Sequence, residues 1–111
     1  MASSTIKKDV TTNPTLVSSD IITDDATFGS IEFRLYSNGI KTIAISNTSF
    51  QSATYIADVI PVKYRPLTAY VVGVGSTTAN VTMRRVLLVS DGRIGVAGAS
   101  EDGLFTAFSY V

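Results

Sequence analysis

A chain of 111 residues with 45% hydrophobic and only 16% charged residues is the size of one domain, able to bury roughly 65% of its unfolded surface. Charge this far below the roughly 25% of an average soluble protein covers an isolated small sphere poorly and points to oligomerisation, while nine basic against nine acidic residues leave no net field to gather nucleic acid or an anionic membrane. With no cysteine and no histidine, disulfides, thiolate metal sites, Ser-His-Asp catalysis and ordinary zinc sites are excluded by inventory.

Residues 1–13 are polar, with Lys7, Lys8 and Asp9 and only Ile6 and Val10 as isolated apolar residues. They read as an arm, either a frayed terminus or a linker from a preceding domain, and residues 14–111 as a single β domain. The start lacks a signal-peptide core, and no apolar run approaches the roughly 18 residues needed to span a bilayer. A soluble, unprocessed product is expected, without membrane insertion.

Residues 15–23 hold Leu16-Val17 and Ile21-Ile22 and predict one weak strand or two short ones. Residues 30–37 alternate cleanly, with Ile31, Phe33 and Leu35 on one side and Glu32, Arg34 and Tyr36 on the other, as a half-buried strand does. Asn38-Gly39 turns this strand into residues 40–46, where Ile43 and Ile45 form the apolar set. A loop of those two residues alone would pair Leu35 with Thr42 and Phe33 with Ala44. One more loop residue pairs Leu35 with Ile43 and Phe33 with Ile45 and buries the apolar set together. A three-residue loop or a bulge is therefore expected.

Residues 49–59 carry Phe50, Tyr55, Ile56 and Val59 and suggest a strand followed by a bend. Pro61 and Pro66 bracket a stretch that cannot pair regularly and reads as a connection between layers. Residues 68–75 predict a strand with Tyr70, Val72 and Val74 on one face. The last third, on which the chain is organised, predicts three strands at 81–89, 93–97 and 104–111. Asp91-Gly92 joins the first two, a dipeptide suited to two-residue hairpin loops with positive φ at both positions. That register places Val89 opposite Ile94 and Leu87 opposite Val96 on one face, with Leu88 opposite Gly95 and Val86 opposite Ala97 on the other. Apolar residues on both faces require a second covering layer, which another subunit could supply. No window of ten residues has helical periodicity. The fold class is all-β: a small antiparallel barrel or sandwich, Greek-key or jelly-roll-like, of about eight short strands.

The glycines of the final third do not form a phosphate loop, since no Gly-x-x-x-x-Gly-Lys run precedes a helix, and are assigned to turns, bulges and close strand packing. Asp24-Asp25 and Glu101-Asp102 lack the ligand spacing of a calcium loop and read as solvated turns. No metal and no cofactor is expected. Arg84 and Arg85 are adjacent in a strand and point to opposite faces, as an edge or interface ion pair or as a guanidinium facing a ligand. Five tyrosines combine a flat apolar body with a polar tip, which suits interfaces and also carbohydrate. Asp91 and Arg93 flank a rigid hairpin tip and offer an acceptor and a donor fork at fixed separation. With a tyrosine such as Tyr110, they form the candidate ligand-binding set.

From Tyr64 onward the order of features resembles a known family. A Tyr64-Arg65-Pro66 turn, a valine-rich strand from Tyr70, a Gly-Ser-Thr loop, a second strand, a Ser90-Asp91-Gly92 turn, then Arg93-Ile94-Gly95-Val96 and a final Phe108-Ser109-Tyr110 resemble the C-terminal head domain of siphophage receptor-binding proteins of the lactococcal phage type. The resemblance covers nearly half the chain. It implies a β-barrel head built as a homotrimer on a trimeric neck, a location at the phage tail tip or baseplate, and binding of host cell-wall saccharide. The polar arm would then be the remnant of a neck that leads through a missing N-terminal part to other baseplate proteins. Heads of this kind can line their saccharide site with a tryptophan and a histidine, and this chain has neither. The expected function is thus saccharide recognition without catalysis. The alternatives are a purely structural baseplate or capsid-decoration domain and, below it, a glycan-cleaving enzyme built on a carboxylate pair.

Overall fold

The computed structural model describes residues 14–24, 29–47, 55–77, 83–97 and 103–111. The polar arm, residues 49–54 of the strand and bend expected over 49–59, and Asp25, Glu101 and Asp102 lie outside them. Within them are seven strands: β1 (Leu16–Asp24), β2 (Gly29–Tyr36), β3 (Lys41–Asn47), β4 (Tyr70–Ser76), β5 (Met83–Val89), β6 (Ile94–Ala97) and β7 (Leu104–Tyr110), with one 3₁₀ turn at Val62–Tyr64. They form one antiparallel sheet in the order β1-β2-β3-β7-β4-β5-β6, curled into a half-barrel. The last four strands carry the Greek-key order, three consecutive neighbours with the fourth returning beside the first. The fold is therefore all-β, as composition and alternation predict.

Two three-residue loops set the registers. In the first, Tyr36 N–H donates to the Ile40 carbonyl (2.9 Å) and Gly39 N–H to the Tyr36 carbonyl (2.9 Å), with Gly39 at φ +88°. This is a tight turn closed by one left-handed glycine, the usual three-residue hairpin. The loop length is the expected one, but the added residue is Ser37 rather than Ile40. Phe33 consequently faces Ile43, and Ile31 faces Ile45. The apolar set is still buried together, two residues along from the predicted pairing.

The Ser90-Asp91-Gly92 loop repeats this geometry. Val89 N–H donates to the Arg93 carbonyl (3.0 Å) and Gly92 N–H to the Val89 carbonyl (2.9 Å). Gly92 sits at φ +99°, whereas Asp91 is not left-handed. The two-residue turn expected here is thus corrected, because it needs positive φ at both positions. Leu88 faces Ile94 and Val86 faces Val96, a one-residue shift that collects Val86, Leu88, Ile94 and Val96 on the inner face, all buried. It leaves Arg85, Leu87 and Val89 on the outer face.

The inner layer comes from the chain itself. Residues 55–67 run as a strap across the concave face, joining both edges of the sheet. Ile56 bridges β6 through Ile94 (2.7 and 3.0 Å), and the N–H groups of Val59 and Ile60 both donate to the Gly92 carbonyl (3.0 Å each). At the far edge, the Tyr64 ring stacks on Phe33 with centroids 5.5 Å apart. Val59, Ile60 and Tyr64 complete a core with Ile31, Phe33, Ile43, Ile45, Leu104 and the hairpin residues. Each such side chain contributes about 1.5–3 kcal/mol by leaving water. Pro61 and Pro66, expected to mark a connection between layers, therefore lie within the covering layer itself.

β4 meets β7 at a narrow seam, where Ser76 pairs with Phe105 and Thr106 Oγ1 donates to the Val74 carbonyl (2.7 Å). Gly73 and Gly75 lie on the inner side of β4 at this seam. A Cβ at Gly73 would collide with the Phe108 ring, and one at Gly75 would come within 2.6 Å of Leu104 Cδ1. Close strand packing explains both glycines.

Candidate functional site

The outer face of β4, β5 and β6 is where exposed chemistry collects. The register aligns Tyr70 with Val89, Val72 with Leu87 and Val74 with Arg85, and Leu87 in turn with Gly95. A shallow depression results, lined by Tyr55, Tyr70, Val72, Arg85, Leu87, Val89 and Arg93. Leu87 and Val89 form an aliphatic floor, and Tyr55 and Tyr70, 51% and 60% exposed, also line it.

Arg93 and Asp91 are joined at one end. Arg93 Nε donates to Asp91 Oδ1 (3.1 Å) and Oδ2 (2.9 Å), and the Arg93 N–H caps Oδ1 (3.1 Å). The Arg93 side-chain hydrogen bond is the main reason that the Asp91 carboxyl titrates below the ordinary carboxylate range. The guanidinium carbon lies over the Tyr55 ring, 4.9 Å from its centroid, within cation–π distance. Tyr55 is delivered by the strap, held by the Ile56–Ile94 bridge next to it.

The structure therefore brings Asp91 and Arg93 together and places Tyr110 elsewhere. Tyr110 is 5% exposed on the inner face, and its hydroxyl donates to the Tyr64 carbonyl (2.7 Å). Burial raises the pKa of this phenol, and its polar tip is committed to the core. The tyrosines that stand beside Arg93 on the surface are Tyr55 and Tyr70. Tyr70 had a legible signal, its alternation with Val72 and Val74. Tyr55 had none, because it reaches β6 through a single isolated bridge. The two arginines separate as their adjacency requires: Arg85 lines the depression, whereas Arg84 is buried and its Nη1 donates to the Gly103 carbonyl (2.6 Å).

A second depression lies on the outer face of β2, β3 and β7, lined by Glu32, Arg34, Thr42, Ala44, Ala107 and Ser109 among others. Its charges are spent on one another, Arg34 Nη2 standing 3.0 Å from Glu32 Oε2. Among the described residues, no cluster of carboxylates could hold a metal ion, and no helix is long and apolar enough to cross a membrane. Compared with known proteins, the chain matches no family model and no curated sequence.

Chemically, the first depression offers ring surface, aliphatic floor, phenol hydroxyls and guanidinium donors. Such a surface suits a polyhydroxylated ring with an apolar face, held by stacking and oriented by hydrogen bonds.

Proposed function

We propose that this chain is a non-catalytic saccharide-binding head, a homotrimeric domain of a phage receptor-binding protein that attaches the tail tip to host cell-wall polysaccharide. The observation that carries the reading is the Tyr55–Arg93–Asp91 array beside Tyr70, on a hairpin whose turn is pinned to the strap. The order of features from Tyr64 to Tyr110 supports the same reading. Each site binds weakly, and three sites per head, repeated over many heads, convert weak contacts into firm attachment through effective concentration.

The test is a glycan-binding screen on purified protein, with Arg93→Ala and Tyr55→Ala alongside the parent. Binding to a wall polysaccharide by the parent, weakened in both variants with oligomeric mass unchanged, supports the reading. A parent that binds no glycan would favour the second reading, a structural baseplate or capsid-decoration domain. That second reading draws on Val72, Val74 and Met83, which are 49%, 53% and 64% exposed on the same outer face and suit assembly contacts.

A further inference from the structure

We infer that Gly95 is a positioning residue of the outer-face site: its bare backbone is the seat that holds the Tyr55 ring against Arg93. Gly95 is buried in the middle of β6, yet its φ is not in the left-handed region. Backbone conformation therefore gives no reason for glycine here. Strand propensity disfavours it, since glycine in a strand is less stable than alanine by about 0.5–1 kcal/mol. What the position needs is space: a Cβ would lie 2.8 Å from Tyr55 Cε1 and 2.9 Å from Cδ1.

The seat organises the residues around it. Tyr55 settles on Gly95, Arg93 two residues earlier on the same face reaches over the ring at 4.9 Å, and Asp91 fixes Arg93 by the Nε hydrogen bonds described above. Both Asp91 oxygens accept from residue 93, so Asp91 holds the guanidinium in place, and its edge and the rings face the ligand. This rests on the saccharide-binding reading for its consequence, but the seat itself can be tested without ligand.

The test is a double-mutant cycle of Gly95→Ala and Tyr55→Ala, read in two ways. The first readout is the NMR resonances of the Tyr55 ring and the Arg93 Nε–H in the free protein. The second is the affinity for purified bacterial cell-wall polysaccharide. Gly95→Ala is expected to keep or raise the melting temperature and to shift the Tyr55 ring signals to solvent-like values. It should weaken binding about tenfold, the scale of losing an aromatic anchor. In the Tyr55→Ala background the same substitution should change neither the Arg93 signal nor affinity further. Unmoved Tyr55 signals in Gly95→Ala, additive effects in the cycle, or unfolding of Gly95→Ala would each overturn the assignment. A parent that ignores the polysaccharide would count against saccharide binding, while the ligand-free signals still decide the seat.

Discussion

The Tyr64 hydroxyl donates to Asp20 Oδ2 at 2.6 Å, tying the strap to edge strand β1 across 44 residues of sequence. The same hydroxyl lies 3.0 Å from Ser18 Oγ, and Lys63 Nζ stands 3.2 Å from Asp20 Oδ2. Tyr64 thus fills the core with its ring and latches the sheet edge with its tip. Tyr64→Phe keeps the stack on Phe33 and loses only the latch, whereas Tyr64→Ala empties a fully buried aromatic site. The alanine variant should cost about 3–5 kcal/mol and the phenylalanine variant a small part of that, measured by urea unfolding. Equal costs would mean that the ring contributes little to the core.

The same contacts give stability a pH dependence at both extremes. Hydrogen bonds, chiefly from Tyr64 and then from Lys63, hold the Asp20 carboxyl below its ordinary value, and Arg93 does so for Asp91. Groups depressed in the folded state contribute stability above the unfolded carboxylate pKa of about 3.9, which is lost as pH falls through their folded values. Burial, first of all, raises both Tyr64 and Tyr110. Their contribution is complete below about pH 10, the unfolded phenol value, and disappears as pH rises beyond it. The melting temperature should therefore fall below about pH 4 and above about pH 10, with a shallower alkaline limb in Tyr110→Phe. An alkaline limb identical in parent and Tyr110→Phe would remove Tyr110 from the account.

Gly39 and Gly92 close sister turns, and their surroundings differ. Nothing lies within 4 Å of a Cβ placed at Gly39, whereas one at Gly92 would come within 2.7 Å of Arg65 Nη2. Arg65 is itself fixed by Nε donating to the Ile60 carbonyl (2.8 Å). Valine at either position incurs the strain of a left-handed β-branched residue, about 1–3 kcal/mol. At Gly92 it also displaces the guanidinium and disturbs the carbonyl that receives Val59 and Ile60. Gly92→Val should be the more destabilising of the two by chemical denaturation, and the reverse order would show that the strap does not hold the turn.

Alternation made the strands legible in the sequence, since Ile31, Phe33 and Leu35 against Glu32 and Arg34 define a face without any tertiary information. Registers were less legible, because Ser-Asn-Gly and Ser-Asp-Gly can close with two or three residues, and only the count of left-handed positions decides. The strap escaped detection for a different reason. Residues 55–67 bury Val59, Ile60 and Tyr64 without periodicity, and their contacts with Gly92, Phe33 and Asp20 are long-range. The site was partly legible: the sequence places Asp91 and Arg93 at one hairpin tip, but it offers them to a ligand separately, whereas they bond to each other, and the neighbouring tyrosine depended on where the strap lies. Tyr110 looked available in sequence because burial of a chain-terminal aromatic is decided by the strap carbonyl that it meets.

The outer face leads to the last prediction, the oligomer. The expected second layer for the hairpin is supplied on the inner side by the strap, so a subunit contact made through a face of the hairpin falls on its outer side. There Val74 and Met83 continue the outer face of β4 and β5 away from the Arg93 end, beyond Val72, which lines the depression. A charge at Val74 should be compatible with the monomer fold, since that side chain is 53% exposed, but costly in an apolar interface, where an unpaired buried charge is strongly disfavoured. Light scattering of the parent is expected to give three times the 11.8 kDa chain mass, and Val74→Asp a mass close to one chain with an unchanged circular dichroism spectrum. Ala107→Asp, on the outer face of β7, is the control and should stay trimeric. A parent of one-chain mass at micromolar concentration would leave the apolar ladder without this explanation, and dissociation by Ala107→Asp alone would move the contact to the β2-β3-β7 face.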